Sequence, residues 1–146
     1  MKIKYKKMHP DAVAPTYAND FAAGLDLSTS VAVTVKPLEP VLLPTGIAVE
    51  IPEGCVGLLT LRSSTPKKKG LFVPNGVGII DCDYRGELFV LVAALKDEVV
   101  IEASDRVAQL VIVPARQLAG VHITSVEEVQ SLTVTERGQG GFGSTG

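Results

Sequence analysis

Tryptophan is absent from the 146 residues, and cysteine, methionine and histidine occur only twice each. So few cysteines exclude a disulfide-stapled miniature. Cys55 and Cys82 stand far apart in apolar stretches, and a reduced pair is expected rather than a disulfide. His9 and His122 have no Cys or His partner at ligand spacing, so a structural zinc or a protein-caged transition metal is not expected. No apolar run approaches the roughly 20 residues that span a bilayer. The basic stretch 1–7 is not followed by the apolar core of a secretory signal. Neither sign of charge dominates: a net charge of −2 exerts no general pull on nucleic acid or anionic membrane. These absences together imply a cytoplasmic protein with neither nucleic-acid nor membrane partners. The Gly-x-Ser-x-Gly elbow and the Gly-Lys-[Ser/Thr] ending of a phosphate loop are missing as well.

What the chain does have is β-forming sequence. With 46% hydrophobic and 21% charged residues it can build one core, and its length suits one domain. Valine-rich apolar runs are separated by Pro, Gly, Asp and Asn. Strands are predicted at 2–6, 25–29, 31–35, 41–43, 47–51, 56–61, 71–73, 78–80, 88–95, 99–101, 107–113 and 121–124. Turns are predicted at Pro44-Thr45-Gly46, Pro52-Glu53-Gly54 and Pro74-Asn75-Gly76, among others. This spacing predicts an all-β sandwich or barrel rather than alternating βαβ units. One short helix is predicted in 63–70, with Ser63 or Ser64 as N-cap, Pro66 in the first turn and a Gly70 stop after three lysines. A second helical possibility, 125–129, is too short to carry weight. The end changes character: residues 137–146 hold five glycines, the residue that loses most freedom on ordering.

Several segments have the makings of a phosphate site. Arg62-Ser63-Ser64 stands where a strand meets the short helix; arginine offers a planar fork for phosphate oxygens, and unpaired N–H groups at a helix start favour an anion. In the segment 75–86, Asp81 follows the apolar Gly78-Ile79-Ile80 and is a candidate partly buried carboxylate, able as an ionised group to take a proton from water. Strict strand alternation would point Asp81 and Tyr84 to opposite faces, so a shared site requires a bend between them. Gln109 is a polar residue inside the apolar run 107–113, either facing outward or buried for a purpose. The Gly-rich end could wrap phosphates with backbone N–H groups and the hydroxyls of Ser144 and Thr145.

Five segments, in order, resemble the motifs of the trimeric deoxyuridine triphosphate nucleotidohydrolases, the dUTPases. They are Ala23-Gly-Leu-Asp-Leu27, Arg62-Ser-Ser64, Gly78-Ile-Ile-Asp-Cys-Asp-Tyr-Arg-Gly86, Asp105-Arg-Val-Ala-Gln109, and Arg137-Gly-Gln-Gly-Gly-Phe-Gly-Ser-Thr-Gly146. The third and fifth are the specific ones, and together the five cover nearly the whole chain. The resemblance implies a jelly-roll-like β-barrel or sandwich at 1–136, a flexible C-terminal arm at 137–146, and a homotrimer with active sites shared between subunits. The implied reaction is Mg²⁺-dependent hydrolysis of dUTP to dUMP and pyrophosphate, which lowers dUTP and supplies dUMP for thymidylate synthesis.

The roles implied by the resemblance fall on matching positions. Asp81 would activate the water that attacks the α-phosphorus. Arg62, Ser63, Ser64 and Gln109 would hold phosphate oxygens, and Arg137, Gly143, Ser144 and Thr145 would clasp the far end of the triphosphate. Asn75, Gly78, Ile79 and Ile80 would line the uracil pocket, Tyr84 would pack under the deoxyribose, and Phe142 would stack over the base. Asp26 would be structural or bound to a metal-held water. The Mg²⁺ would be carried by phosphates and waters, with no direct protein ligand. Ser64 and Ser104 depart from glycines common in the family. Alternatives on the same fold are a dCTP deaminase, a bifunctional deaminase–diphosphatase, or a regulatory nucleotide-binding homologue. A structural β-sandwich such as a capsid jelly roll would leave the end segment without a purpose.

Overall fold

The computed structural model describes residues 3–115 and 128. It is a jelly-roll-like β-sandwich with one short helix. One sheet, in the order β1-β5-β9-β7, comprises β1 (Lys4–Lys7), β5 (Val41–Glu50), β9 (Glu87–Ala94) and β7 (Leu71–Phe72). The other, in the order β2-β3-β11-β6-β8, comprises β2 (Thr16–Tyr17), β3 (Leu25–Ser28), β11 (Arg106–Pro114), β6 (Cys55–Leu61) and β8 (Gly78–Ile80). A two-stranded ribbon joins β4 (Val33–Val35) to β10 (Val99–Ile101). All the strand pairings are antiparallel.

The core follows from period-two alternation. Gly57, Leu59 and Leu61 turn inward from β6, with Val107, Ala108 and Leu110 from β11. Leu43, Ile47 and Val49 of β5 and Leu88, Val90 and Val92 of β9 face them in one continuous cluster. Every buried hydrophobic side chain in it is aliphatic, as expected from so few aromatic residues. Each large one is worth about 1.5–3 kcal/mol of burial.

The predicted turn at Pro44-Thr45-Gly46 is not a turn. The runs 41–43 and 47–51 form the single strand β5, which bulges against β9 between Pro44 and Ala48. The bulge survives because its polar groups are satisfied. Thr45 Oγ1 donates to the Leu88 carbonyl at 2.7 Å, and the Gly46 N–H donates to Glu87 Oε1 at 2.7 Å. Glycine is required at 46: φ is +66°, and a Cβ there would lie 2.6 Å from that of Ala12. The two-residue β2 was not predicted, being too short to show a period. The strand predicted at 121–124 and, apart from Glu128, the helical possibility at 125–129 lie outside the described residues.

The helix α1 (Ser64–Lys69) forms where predicted, closed by Gly70 in the left-handed conformation. Ser63 occupies the N-cap position, but its hydroxyl makes no capping bond. The start of α1 is held instead by Thr65, whose Oγ1 donates to the Val107 carbonyl at 3.0 Å, and by the Arg62 N–H, which donates to the same carbonyl at 3.1 Å. At its other end, Lys69 Nζ donates to Asp105 Oδ2 at 2.8 Å; that bond holds the Asp105 carboxyl below the usual carboxylate range, against an opposing push from burial.

Ser104, before Asp105, has φ of +71°. This explains why the position suits glycine: a side chain in this region costs roughly 1–2 kcal/mol, part of which glycine returns as unfolded-state freedom. Ser104→Gly is therefore expected to stabilise the fold by up to about 1 kcal/mol, seen as a higher midpoint in urea with an unchanged slope.

Candidate active site

Three adjacent strands assemble the first cluster. Asp26 on β3 lies opposite Gln109 on β11, which lies opposite Thr60 on β6, two residues before Arg62. Asp26 is 8% exposed. A carboxylate buried this far needs partners, and two arginines supply them. Arg62 Nε donates to Oδ1 at 2.8 Å, and Arg106 Nη1 to Oδ2 at 3.4 Å. Because Nε makes that bond, the two terminal nitrogens of Arg62 keep their donors for another acceptor; among the described residues they have none within hydrogen-bond range. Gln109 Nε2 donates to the Leu61 carbonyl at 3.2 Å. A Cβ on Gly24 would stand 3.0 Å from Gln109 Oε1, so the Ala23-Gly24 segment clears space for that side chain. Ser63 is exposed beside this group and Ser64 half-buried. The arrangement is cationic, rich in donors and fixed from behind, as an anion site should be.

The second cluster sits where β8 ends. The chain turns immediately after Ile80, and the Tyr84 N–H donates to the Asp81 carbonyl at 3.2 Å. This is the bend that strand alternation required. Asp81 and Tyr84 consequently line one concavity of about 320 Å³ with Ile79, Ile80, Leu42 and Phe89. Arg85 Nη1 ties the turn by donating to the carbonyls of Cys82 and Tyr84, at 2.7 and 2.9 Å. The Tyr84 hydroxyl donates to the Glu87 carbonyl at 2.9 Å, laying the ring across Gly86. A Cβ at 86 would come within 2.6 Å of Tyr84 Cζ, so the glycine permits the ring position. Asn75 is exposed on the turn before β8, with Gly76 at φ +74°.

One expectation is corrected here. Asp81 is exposed in the subunit, not partly buried. The apolar run before it belongs to β8, an edge strand among the described residues, and the chain leaves the sheet at Asp81, so its carboxylate stays outside the core.

The two clusters are not together. Ile80 pairs with Gly57 on β6, and Arg62 lies five residues further along that chain. At about 3.3 Å per residue that is roughly 17 Å, and Asp81 lies on the far side of Ile80 from Arg62. Within one subunit the carboxylate and the cation cannot meet on one phosphate. Arg137, Phe142, Gly143, Ser144 and Thr145 lie outside the described residues. Sequence reasoning missed Arg106, the second partner of Asp26, and the outward-facing Leu42 and Phe89. Apolar residues on the outward positions of β5 and β9 were the available signal for the latter two; nothing local singles out Arg106.

A family model described as dUTPase matches residues 11–146. The chain is 46% identical to the deoxyuridine 5'-triphosphate nucleotidohydrolase of Hydrogenobaculum sp. strain Y04AAS1, over 100% of this chain and 99% of that protein. It is 43% identical to the protein of the same name from Nautilia profundicola, with coverage of 100% and 99%. Among solved structures, the dUTPase of Staphylococcus bacteriophage 80alpha with dUPNHPP is similar with a TM-score of 0.83 and 31% identity, covering 99% of this chain and 98% of that one. A mutant dUTPase from phage phi11 of S. aureus, described for its coordination of a structural Mg(II) ion, has a TM-score of 0.77 and 26% identity, covering 90% and 98%.

Proposed function

The chain belongs to the dUTPase family, and from that premise we propose that it hydrolyses dUTP to dUMP and pyrophosphate in sites shared between the subunits of a homotrimer. The observation that carries the shared site is the separation of roughly 17 Å along β6. Both clusters carry family motifs, yet one chain cannot close them on one substrate. Symmetry resolves this, because a closed ring can set the Asp81 concavity of one copy against the Arg62 cluster of the next.

In this reading Asp81 takes a proton from water as its oxygen bonds to the α-phosphorus; the α–β bridging oxygen leaves with pyrophosphate. Such chemistry needs chiefly positioning and charge neutralisation. Arg62 supplies its two free terminal nitrogens, while Asp26 fixes the guanidinium plane; with both oxygens taken by arginines, Asp26 serves as the structural anchor. Ser63, Ser64 and Gln109 add donors for phosphate oxygens. Residues 137–146 form the arm over the triphosphate, beyond the barrel domain of 1–136, with Arg137, Gly143, Ser144 and Thr145 on phosphate and Phe142 on the base.

Selectivity rests on β8. Among the described residues β8 pairs only with β6, which leaves N–H and C=O groups of Gly78–Ile80 on its other side for uracil. Asn75 lines the same pocket. A wrong base leaves buried polar groups unpaired, at roughly 1–3 kcal/mol each. The Tyr84 ring, pinned over Gly86, stands where a 2′-hydroxyl would go.

The donor set also fits Mg²⁺. Among the described residues no three His, Cys, Asp or Glu side chains converge as a metal cage, and Asp81 is the uncommitted carboxylate of its concavity, Glu87 being bonded to Gly46. That suits an ion retaining phosphate and water ligands. When bound with the triphosphate, Mg²⁺ supplies neutralising charge. Among the described residues no helix is long and apolar enough to cross a membrane, and a cytoplasmic setting belongs to the same proposal. No observation favours the deaminase or the purely regulatory alternative.

Pyrophosphate release measured side by side with dUTP, dTTP, dCTP and UTP tests the assignment. dUTP should exceed dCTP by at least about a hundredfold, equivalent to two unpaired polar groups; it should also exceed UTP, whose 2′-hydroxyl meets the Tyr84 ring, and dTTP, which carries an extra methyl, and Mg²⁺ removal should depress its turnover. Equal rates for dUTP and UTP, or ammonia release from dCTP, would refute it.

A further inference from the structure

Arg106 reaches Asp26 because β11 bulges. It stands three residues before Gln109, so strict alternation would send the two side chains to opposite faces of the sheet. The β3–β11 register instead advances two residues on β11, from Arg106 to Ala108, for one on β3, from Ser28 to Leu27. Val107 is the extra residue, and its side chain is buried in the core. The bulge sets Arg106 opposite Ser28, on the outward face that carries Asp26 and Gln109. The same residue also fixes Arg62, whose backbone N–H donates to the Val107 carbonyl at 3.1 Å. One irregularity of β11 therefore brings both arginines to one carboxylate.

The charges of this group do not cancel. Asp26 and Arg62 alone would form a neutral pair. Arg106 Nη1, donating to Asp26 Oδ2 at 3.4 Å, brings the group to a net positive charge. The neighbouring carboxylate of Asp105 does not offset that charge, because Lys69 Nζ is 2.8 Å from it. The negative charge lies inside and the positive charge outside: Asp26 is 8% exposed and the Arg106 side chain 57%. An anion approaching from solvent meets a cation rather than a closed ion pair.

We propose that Arg106 is a positioning residue for the triphosphate: it counters the charge of Asp26, so that Arg62 is oriented by that carboxylate and still attracts phosphate. A guanidinium needs a fixed acceptor behind it to aim its terminal nitrogens, yet that acceptor by itself would cancel the charge being aimed. The second arginine removes the conflict. Phosphate charge is present in the substrate and the transition state alike. Loss of the Arg106 charge should therefore raise KM and leave kcat nearly unchanged.

The effect on turnover rests on the dUTP-hydrolase reading; the effect on phosphate affinity does not. Binding of inorganic tripolyphosphate, which carries the phosphates without a base, is measured by calorimetry at two salt concentrations, alongside KM and kcat with dUTP. Arg106→Gln keeps a donor for Asp26 and loses the charge. It should bind tripolyphosphate at least about tenfold more weakly, with a shallower salt dependence. Its KM should rise by a similar factor, with kcat within about threefold. Arg106→Lys keeps the charge and should bind within about threefold of the unaltered protein. Arg106→Gln combined with Asp26→Asn restores the net positive charge and should recover most of the lost affinity. A merely structural contact predicts the reverse order, with the double variant weakest. Unchanged affinity in Arg106→Gln, equal losses in the Gln and Lys variants, or a double variant no tighter than Arg106→Gln overturns the proposal. So does a fall in kcat at constant KM. If Arg106→Gln fails to fold, the double variant decides: affinity within about threefold of the unaltered protein supports the charge role, and a loss of about tenfold overturns it. If the unaltered protein leaves dUTP intact, the hydrolase reading fails, while the tripolyphosphate affinities still decide the part of Arg106.

Discussion

A protein carrying Asp81→Asn is expected to release pyrophosphate from dUTP between about a hundredfold and ten thousandfold more slowly, the range a positioned general base contributes. The amide keeps the shape of the side chain and loses its capacity to take a proton, so dUTP binding should survive within a few-fold. Arg62→Ala should be similarly inactive for a different reason: it removes the fork from the phosphates. Asp26 then keeps only the 3.4 Å contact with Arg106, so the variant's melting must be checked. The two inactive proteins together make the sharper test. When co-expressed and assembled at random, they form some sites with an intact Asp81 from one copy and an intact Arg62 from its neighbour. Each mixed ring has one such site in three, and over the randomly assembled population roughly a quarter of all sites qualify, so about a quarter of the turnover should return. No chain in the mixture carries both residues, so a site built within one chain would recover nothing. Absence of recovery in verified mixed trimers would sink the shared-site proposal.

Removal of residues 137–146 should leave a folded oligomer whose turnover of dUTP has fallen by two to four orders of magnitude. Phe142 stacked on a base is worth about 1–3 kcal/mol, and Arg137 on phosphate about 1.5–3 kcal/mol; together they span factors of roughly 10² to 10⁴. Ordering each residue of the arm costs about 1–2 kcal/mol, so a glycine-rich arm closes only on a ligand offering many contacts. The prediction is read from kcat together with sedimentation of the truncated protein. An undiminished kcat would show that these residues have no part in the reaction.

The strands at 78–80 and 99–101 were legible to the residue, because short apolar runs bounded by Gly, Asp and Glu have few other ways to bury themselves. The helix was legible through Pro66, its lysines and Gly70. The β5 bulge was not. Pro44-Thr45-Gly46 carries the composition of a turn, and the groups that keep it in a strand, the Leu88 carbonyl and the Glu87 carboxylate, lie more than forty residues away. Asp81 was legible as a carboxylate after an apolar run, but its exposure depends on β8 being an edge, which is a property of the sheet order. The buried hold of Arg62 and Arg106 on Asp26 was equally beyond local reading, since it joins three strands.

Sequence alone determined the β-rich class, the family and the chemical inventory: a carboxylate, a cationic cluster, a tyrosine and a glycine-rich end. Those follow from residue type and spacing, which are local. Only the tertiary structure decided which of these groups share a surface. It put Asp81 with Tyr84 and Arg62 with Asp26 and Gln109, and it held the two groups apart. Strand register decides such matters, and register is set by side chains burying themselves against partners distant in the chain.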